Sequence, residues 1–285
     1  MIFAIIRKGD GISKERIFLT SVVKNLQSGL QAAGHAISPD GQLGTNTEKL
    51  IKTFQAAKQL EANGIVNKAT WTPLSSHLQS TVGANQIKVR EFLRNFDGDL
   101  GWVHEREGHK GFAYWPGGNS GVTLDPGVDL GQIHWNIIQP FYEKILNEEQ
   151  QIAIQSVIGI SGDAAKRALD TNPVLHAIRI SQNDAERIMP LASQSYWVNI
   201  VNRFSSLAAA NVLPSVQTAL LSLSYNRGSH NQGLEQLQGP LNAADWGEVA
   251  NRIAAMQQDH KLEGIRVRRR MEADLIRAEV DYLNS

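Results

Sequence analysis

Three acidic side chains and one hydroxyl lie close together in a stretch that is otherwise rich in glycine and aromatic residues. Glu107 precedes Gly108, and Thr123 is followed by Asp125 and Asp129. A carboxylic acid that donates a proton and a second, ionised carboxylate form the pair that glycoside hydrolysis requires. A hydroxyl between two carboxylates can position a water molecule for attack. These residue types therefore fit acid–base chemistry in which water is the nucleophile.

The elements that must position these groups can be read from the apolar spacing. From Gln86 onward, apolar residues recur at i, i+3, i+4 and i+7, as in Val89, Phe92, Leu93 and Phe96. This period predicts an amphipathic helix, and we expect Glu107 at its end with Gly108 as the C-terminal cap. Residues 111–131 contain six glycines among aromatic and β-branched residues, which predicts turns and short strands.

The rest of the second half is predicted to be helical. Pro214 is suited to the first turn of a helix that ends at Gly228, and a last helix is expected from about Ile265 to Tyr282. This half thus consists of a helix, a small β-rich patch and a helical body.

Three short helices are predicted in the first part of the chain. One carries Val22, Val23, Leu26 and Leu30 and stops at Gly34, a second is capped by Thr47, and a third covers 70–77. Residues 74–85 are rich in Ser, Thr and Gln and are typical of a linker. We therefore predict a small three-helix domain over 1–80, a linker over 81–88 and a second domain over 89–285, in a mainly α protein.

The composition of the chain excludes several other kinds of functional site. The chain has no cysteine, so disulfides and thiolate metal sites are excluded. The eight histidines do not show metal-ligand spacing, and the glycines at 117–131 do not form a phosphate-binding loop. We expect no metal, no cofactor and no nucleic acid partner. Residues 1–85 hold nine Lys and Arg against five Asp and Glu, a basic balance that suits an anionic polymer.

The beginning of the chain predicts where the protein is made. The apolar run Ile2–Ile6 is too short for a membrane span and lacks the features of a signal peptide. We expect synthesis in the cytoplasm and no stable insertion into a membrane.

A dense motif in the first 75 residues resembles a known binding domain. The matching stretches are Val23-Lys-Asn-Leu26-Gln27, Asp40-Gly41-Gln-Leu43-Gly44-Thr-Asn-Thr47, Ile51-Lys-Thr-Phe54-Gln55, Gly64-Ile65-Val66 and Thr70-Trp71. They resemble the type-1 peptidoglycan-binding domain, with Asn63-Gly64 in place of its second Asp-Gly turn. The resemblance implies peptidoglycan as the partner. Most motif positions are turn and core positions, so it does not say which side chains touch the polymer.

A second resemblance covers roughly residues 90–285. Its main stretches are Glu107-Gly-His-Lys-Gly-Phe-Ala-Tyr114, Gly118-Asn-Ser-Gly121-Val-Thr123 and Gly127-Val-Asp129-Leu130. They resemble the lysozyme family that includes phage T4-type muramidases, and most closely its pesticin-like branch. The resemblance implies a lysozyme-like α+β domain with Glu107, Thr123 and Asp129 as the catalytic set.

Three further residues are expected to contact substrate. Tyr114 lies in the first stretch, Asn226 in Tyr225-Asn-Arg-Gly228, and Arg268 in the basic run near the C-terminus. Two of these have a competing interpretation. Asn226 could instead be an ordinary residue before a helix-ending glycine, and the basic run could be a solvated helix face or could touch anionic lipid headgroups.

Two departures from the family pattern affect the second carboxylate. The T4-like proteins carry an Asp nine residues after the Glu, where this chain has Pro116. The branch often has Gly where this chain has Asp125, so Asp125 competes with Asp129. Glu105 is expected to be a solvated neighbour of Glu107.

The two resemblances together imply a phage endolysin. Its activity would be hydrolysis of the β-1,4 bond between N-acetylmuramic acid and N-acetylglucosamine, by a monomer that reaches the wall through a holin-type pore. Two alternatives remain at this point. A lytic transglycosylase uses one Glu and cyclises the muramic acid, and a degenerate lysozyme would be a non-catalytic wall-binding or structural protein.

Overall fold

A computed structural model describes residues 1–209 and 211–285; within residues 79–84 it describes the backbone alone. Helices make up 61% of the chain, and the sheet has two strands. The expectation of a mainly α protein with a small β patch is confirmed.

The described residues contain α-helices of five to 25 residues and short 3-10 turns at Ile17–Leu19, Ser205–Ala208 and Gln232–Leu237. The α-helices in chain order are α1 (Thr20–Ala32), α2 (Thr45–Ala57), α3 (Lys68–Phe92), α4 (Leu100–Glu107), α5 (Trp135–Tyr142), α6 (Glu148–Gln155), α7 (Gly162–Thr171), α8 (Pro173–Ala177), α9 (Gln182–Arg203), α10 (Pro214–Arg227), α11 (Gln238–Asn242), α12 (Trp246–Ala255) and α13 (Glu263–Leu283). The strands are β1 (Thr123–Leu124) and β2 (Val128–Asp129).

The chain forms two compact units. The first unit comprises Met1–Val103 together with Tyr196–Ser285, and the second comprises His104–Ser195. These units differ from the predicted domains 1–80 and 89–285, because the C-terminal helices share a unit with the N-terminal residues. The predicted domain boundaries remain a prediction.

The three predicted N-terminal helices are present as α1, α2 and the first part of α3. The apolar stripe of α1 is fully buried, and the chain leaves the helix through Gly34 at φ +94°. The prediction that Thr47 caps the second helix is wrong. α2 begins at Thr45 after Gly44, and the Thr47 hydroxyl donates to the Gln42 carbonyl oxygen at 3.2 Å.

The third helix is longer than predicted. α3 begins after Asn67, whose side chain accepts from the Thr70 backbone N–H, and it continues to Phe92. Its backbone is therefore helical through the predicted linker at 81–88. The side chains of the linker residues 81–84 lie outside the described residues. The Ser-, Thr- and Gln-rich composition of residues 74–85 did not interrupt the helix.

The first residues of the chain are part of the core of the first unit. Ile2, Ala4 and Ile6 are fully buried, and Ile6 pairs with Val66 in an isolated antiparallel bridge. The indole N–H of Trp71 donates to the Ala4 carbonyl oxygen at 2.8 Å. Because alternate residues of this extended segment face inward, the apolar run Ile2–Ile6 is explained by packing.

The opposite face of the same segment reaches the C-terminal helix. The Phe3 ring stacks on Tyr282 of α13, with ring centroids 5.6 Å apart, and meets Trp71 of α3 edge-on at 5.2 Å. α13 also packs against α10 and α12. Pro214 begins α10 and Gly228 ends it at φ +82°, as predicted.

The second unit begins with the end of α4 and a small antiparallel patch. β1 and β2 pair in antiparallel register, Leu124 opposite Val128, and Tyr114 forms a further bridge to Thr123. Helices α5 to α8 follow, with α8 packed against α6 and α7. The helix that carries Glu107 is not the one predicted from Gln86. α3 ends at Phe92, Asn95 takes a left-handed conformation at φ +60°, and α4 is a separate helix.

Among the described residues, no helix combines the length and the apolar character that a membrane crossing requires.

Candidate functional site

Glu107 is the last residue of α4 and is half-buried. The chain turns directly after it, because Gly108 adopts φ +74° and its N–H donates to the His104 carbonyl oxygen at 3.1 Å. Gly108 therefore ends the helix, as the sequence predicts. This ending places Glu107 directly before the turn that leads into the β patch.

Thr123 and Asp129 are brought together by the two-stranded sheet. They are directly opposite each other in the register of β1 and β2. Side chains at opposite positions of an antiparallel pair lie on the same face of the sheet. Thr123 is buried, with 3% of its surface exposed, and its hydroxyl donates to the Gly121 carbonyl oxygen at 3.3 Å. Two of the three predicted catalytic residues are thus paired by backbone geometry.

The Asp129 carboxylate is fixed by two backbone groups. Its Oδ1 atom accepts from the N–H groups of Gly121 and Gly131, each at 2.8 Å. A Cβ atom at position 121 would lie 2.5 Å from that oxygen and 2.3 Å from the Gly131 nitrogen. Glycine at 121 is therefore required by close approach. The two hydrogen bonds orient the carboxylate.

Tyr114 lies in the field of the acidic groups. Its backbone N–H and carbonyl both bond to Thr123, at 3.0 and 2.7 Å. Burial first, and then the negative charges of Asp125, Glu107 and Asp129, raise the pKa of the Tyr114 phenol to about 12. The phenol therefore stays protonated and able to donate a hydrogen bond. The Lys110 ammonium lies over its ring, 5.8 Å from the centroid.

Asp125, the other candidate for the second carboxylate, accepts hydrogen bonds from the loop that follows Glu107. It is buried, with 1% exposed, and accepts from the backbone N–H groups of Lys110 and Gly111. His109 Nδ1 lies 2.9 Å from its Oδ2 atom. These contacts give Asp125 a structural role in holding residues 109–111, and they favour Asp129 as the second carboxylate.

The other two predicted substrate-binding residues, Asn226 and Arg268, lie in the first unit. Asn226 is exposed near the end of α10. Arg268 is buried, with 8% exposed, and donates to the Ser222 hydroxyl at 2.9 Å and the Ser222 carbonyl oxygen at 3.1 Å. It also forms an ion pair with Glu272 at 3.4 Å. Direct contact between Arg268 and a glycan is disfavoured by this burial.

The basic run near the C-terminus is not one exposed face. Arg269 is fully buried and pairs with Glu272 at 2.8 Å, whereas Arg270 is exposed. Two of the four arginines at 266–270 therefore neutralise a buried acid instead of presenting charge to a partner.

The N-terminal motif is held by Gln27. Its side-chain carbonyl accepts from the Gly41 N–H at 2.8 Å, and its amide donates to Asp40 Oδ1 at 2.7 Å and to the Gln42 carbonyl oxygen at 3.2 Å. The same amide reaches the Thr47 hydroxyl at 3.3 Å. One buried side chain thus fixes the whole Asp40-Gly41 turn against α1 and α2.

Gln55 repeats this arrangement at the second turn. It accepts from the Gly64 N–H at 2.9 Å and donates to Asn63, to the Ile65 carbonyl oxygen and to the Thr70 hydroxyl. The sequence interpretation missed this internal repeat because the Gln-to-Asx spacing differs, 13 residues in one copy and eight in the other. The shared order of Gln, Asx-Gly and Thr could have revealed it.

A cavity of about 230 Å³ lies beside the first turn, at the N-terminus of α2. It is lined by polar residues and backbone: Asp40, Gln42, Gly44, Thr45, Asn46 and Thr47. Gln27 lowers the pKa of the Asp40 carboxyl by donating a hydrogen bond to it, and the Gln42 N–H adds to this effect.

Over residues 1–209 and 211–285, no three His, Asp or Glu side chains are grouped so that they could hold a metal ion.

The comparisons with known proteins concern the N-terminal module. No curated protein matches the chain. Residues 20–74 match the family model described as "Putative peptidoglycan binding domain", and these residues include α1, α2 and both Gln-held turns. The match supports an N-terminal module whose partner is peptidoglycan.

Proposed function

We propose that the protein is a peptidoglycan hydrolase that cleaves the β-1,4 bond between N-acetylmuramic acid and N-acetylglucosamine. The observation that carries the proposal is the pairing of Thr123 with Asp129 across β1 and β2. Tyr114 pairs with Thr123 in turn, and the negative charges of Glu107 and Asp129 both contribute to the raised pKa of its phenol. A half-buried acid and an oriented carboxylate near one phenol are the components that glycoside hydrolysis needs.

In this proposal Glu107 is the general acid that protonates the leaving glycosidic oxygen. Asp129 takes the role of the second carboxylate, and two glycine N–H groups hold it in one orientation. The Thr123 hydroxyl and Asp129 together orient the attacking water, which would give an inverted product. The protonated Tyr114 phenol is available to hydrogen-bond the sugar.

The proposal has a second part, which is that the protein attaches to the cell wall. The family match over residues 20–74 supports this part. The N-terminal module would keep the enzyme on an insoluble polymer, so that a weak active-site affinity suffices for repeated cleavage. The place of action would be the bacterial cell wall, reached from the cytoplasm of a phage-infected host through a holin-type pore.

Mass spectrometry of digested peptidoglycan tests the activity. Purified sacculi are incubated with the full chain, and the soluble muropeptides are analysed. Products with reducing N-acetylmuramic acid are expected. A product lighter by one water, the anhydro sugar, would instead establish a lytic transglycosylase. Absence of soluble product at any enzyme concentration would leave a wall-binding protein.

Binding is tested separately from cleavage. The Glu107→Gln variant of the full chain is mixed with purified sacculi and sedimented. The proposal predicts that the variant appears in the pellet, because the module at 20–74 does not contain the catalytic residues. A variant that remains in the supernatant would contradict the wall-binding half.

A further inference from the structure

We infer that Phe112 and Arg179 form a subsite for the glycan strand beside the candidate catalytic residues; this inference rests on the proposed function. Phe112 stacks on a sugar ring, and Arg179 binds a carboxylate of the peptide stem that muramic acid carries. Both residues belong to the second unit.

The first observation is the exposure of a large aromatic ring. Phe112 has 46% of its surface exposed, although a phenylalanine is usually buried. The next residue, Ala113, is buried with 4% exposed. Since side chains alternate along an extended segment, Phe112 and Tyr114 lie on the same face and Ala113 on the other. Phe112 therefore extends the face that carries Tyr114, which pairs with Thr123 of β1.

The second observation is the position of Arg179. Phe112 and Arg179 are partners in an antiparallel bridge, and the Ile180 N–H donates to the Gly111 carbonyl oxygen at 3.1 Å. Opposite residues of such a pair lie on the same face, roughly 5 Å apart at Cβ. Arg179 is exposed, whereas its neighbours Ile178 and Ile180 are buried. The ring and the guanidinium therefore share one solvent-facing surface.

The guanidinium of Arg179 is held in place before any ligand arrives. Its Nη1 atom donates to the carbonyl oxygens of His176 and Ile178, at 2.6 and 2.7 Å. A fixed guanidinium loses little entropy when it binds a carboxylate, and it can do so with two parallel hydrogen bonds. An aromatic ring beside an arginine is also the composition that recognition surfaces favour.

The Phe112 ring and the Arg179 guanidinium together indicate which ligand the subsite binds. A flat apolar ring fits the apolar face of a pyranose, and a cation fits the carboxylates of a peptide stem. Peptidoglycan presents both on one muramic acid unit. A strand whose stems an amidase has removed keeps only the lactyl carboxylate next to the sugar ring and lacks the stem carboxylates that Arg179 binds. Its affinity therefore depends on Phe112 and not on Arg179, and this difference makes the two contributions separable.

Steady-state kinetics on two soluble substrates tests the subsite. Uncross-linked glycan strands are compared with the same strands after an amidase has removed their stems. Phe112→Ala should raise KM about tenfold on both substrates, as loss of a contact worth about 1.4 kcal/mol would, with kcat little changed. Phe112→Trp should restore KM. Arg179→Gln should raise KM on the stem-bearing strands alone.

Two matched variants control for surface changes elsewhere in the second unit. Ile152 is 60% exposed on α6, so Ile152→Ala removes an apolar side chain of similar exposure. Arg187 is exposed on α9, so Arg187→Gln removes a comparable charge. Both should keep the wild-type KM. A wild-type KM for Phe112→Ala, or an equal effect of Arg179→Gln on both substrates, would overturn the inference.

Binding by calorimetry separates this inference from the hydrolase proposal. If the wild-type chain releases no reducing ends, the hydrolase proposal fails, and the same strands are titrated into wild type, Phe112→Ala and Ile152→Ala. The module at 20–74 contributes equally to all three, so a weaker Kd for Phe112→Ala alone supports the subsite. Equal Kd values would refute it.

Discussion

Thr123 and Asp129 lie directly opposite each other across the antiparallel pair of β1 and β2. Five residues lie between them in sequence, and the turn between the strands returns the chain so that both side chains share one face. The hydroxyl and the carboxylate are thus held by backbone pairing and not by long side chains. A site built this way can orient a water molecule without reorganising.

The two aspartates of this region should respond differently to amidation. Asp129→Asn keeps the Oδ1 acceptor for Gly121 and Gly131, so the fold should be retained while hydrolysis falls to less than about one hundredth. Asp125→Asn removes a buried charge that accepts two backbone N–H groups, and should lower the free energy of unfolding by about 1–3 kcal/mol.

Thermal unfolding and reducing-end release, measured on both variants, check this prediction. An Asp129→Asn variant with wild-type turnover would move the second carboxylate elsewhere. An Asp125→Asn variant that is inactive but as stable as wild type would restore Asp125 as the catalytic candidate.

Replacing either of the two buried glutamines of the N-terminal module should lower the stability of the protein by a similar amount. Gln27→Leu and Gln55→Leu each remove a side chain that satisfies several turn groups, and each should lower the free energy of unfolding by about 2–3 kcal/mol. Gln31→Leu, an exposed position on the same helix as Gln27, is the control. Urea titration measures all three. If Gln55→Leu is neutral while Gln27→Leu is not, the two turns are not equivalent.

Arg268 should behave as a structural residue. Arg268→Gln leaves the buried Glu272 with less compensation and should destabilise the protein by about 3 kcal/mol. Arg270→Gln, at the exposed neighbour, should have little effect. Urea unfolding measures stability, and kinetics on the folded fraction measure KM. A raised KM without a loss of stability would support the substrate-binding role that the sequence predicts.

Glu279 should make the protein less stable as the pH rises. Burial raises the pKa of Glu279 above its ordinary value of 4.5, although the Ser215 backbone N–H stabilises the charged form. A raised folded-state pKa means that the folded protein holds the proton more tightly, so stability falls as pH increases above the unfolded value. Glu279→Gln keeps an acceptor for Ser215 and removes this dependence.

The variant should therefore be more stable than wild type near pH 7 and similar to it near pH 4. The free energy of unfolding, measured across this range, provides the check. Glu272, whose pKa burial also raises, remains in the variant, so a smaller decline is expected and not a flat profile. An unchanged pH dependence would contradict the assignment to Glu279.

Much of the local structure could be predicted because turns and apolar stripes are local signals. The Asp40-Gly41 turn, the stripe of α1 and the helix end at Gly228 are set by neighbouring residues. The helix from Gln86 was extended too far because Phe96 satisfies the helical spacing although it lies in the turn after α3. Phe96 is buried, as its spacing predicts, but it lies in the loop between α3 and α4 and not in a helix.

Long-range pairing explains the remaining errors. Arg268 and Arg269 are predicted to be part of an exposed basic run, yet the packing of α13 against α10 and α12 buries both beside Glu272. The packing of Phe3 on Tyr282 joins the two ends of the chain in one unit, and no local pattern predicts such a contact. The pairing of Thr123 with Asp129 needs the strand register, which sequence spacing alone does not provide.

The most direct measurement is reducing-end release from purified peptidoglycan by wild type, Glu107→Gln and Glu105→Gln. Glu105, which pairs with Arg106 at 3.4 Å, differs from Glu107 by two positions on the same helix and is the matched control. Glu107→Gln should retain the fold and less than about one hundredth of the activity, because an amide cannot donate the proton. Glu105→Gln should remain close to wild type. A Glu107→Gln variant that cleaves as fast as wild type would contradict the proposed mechanism.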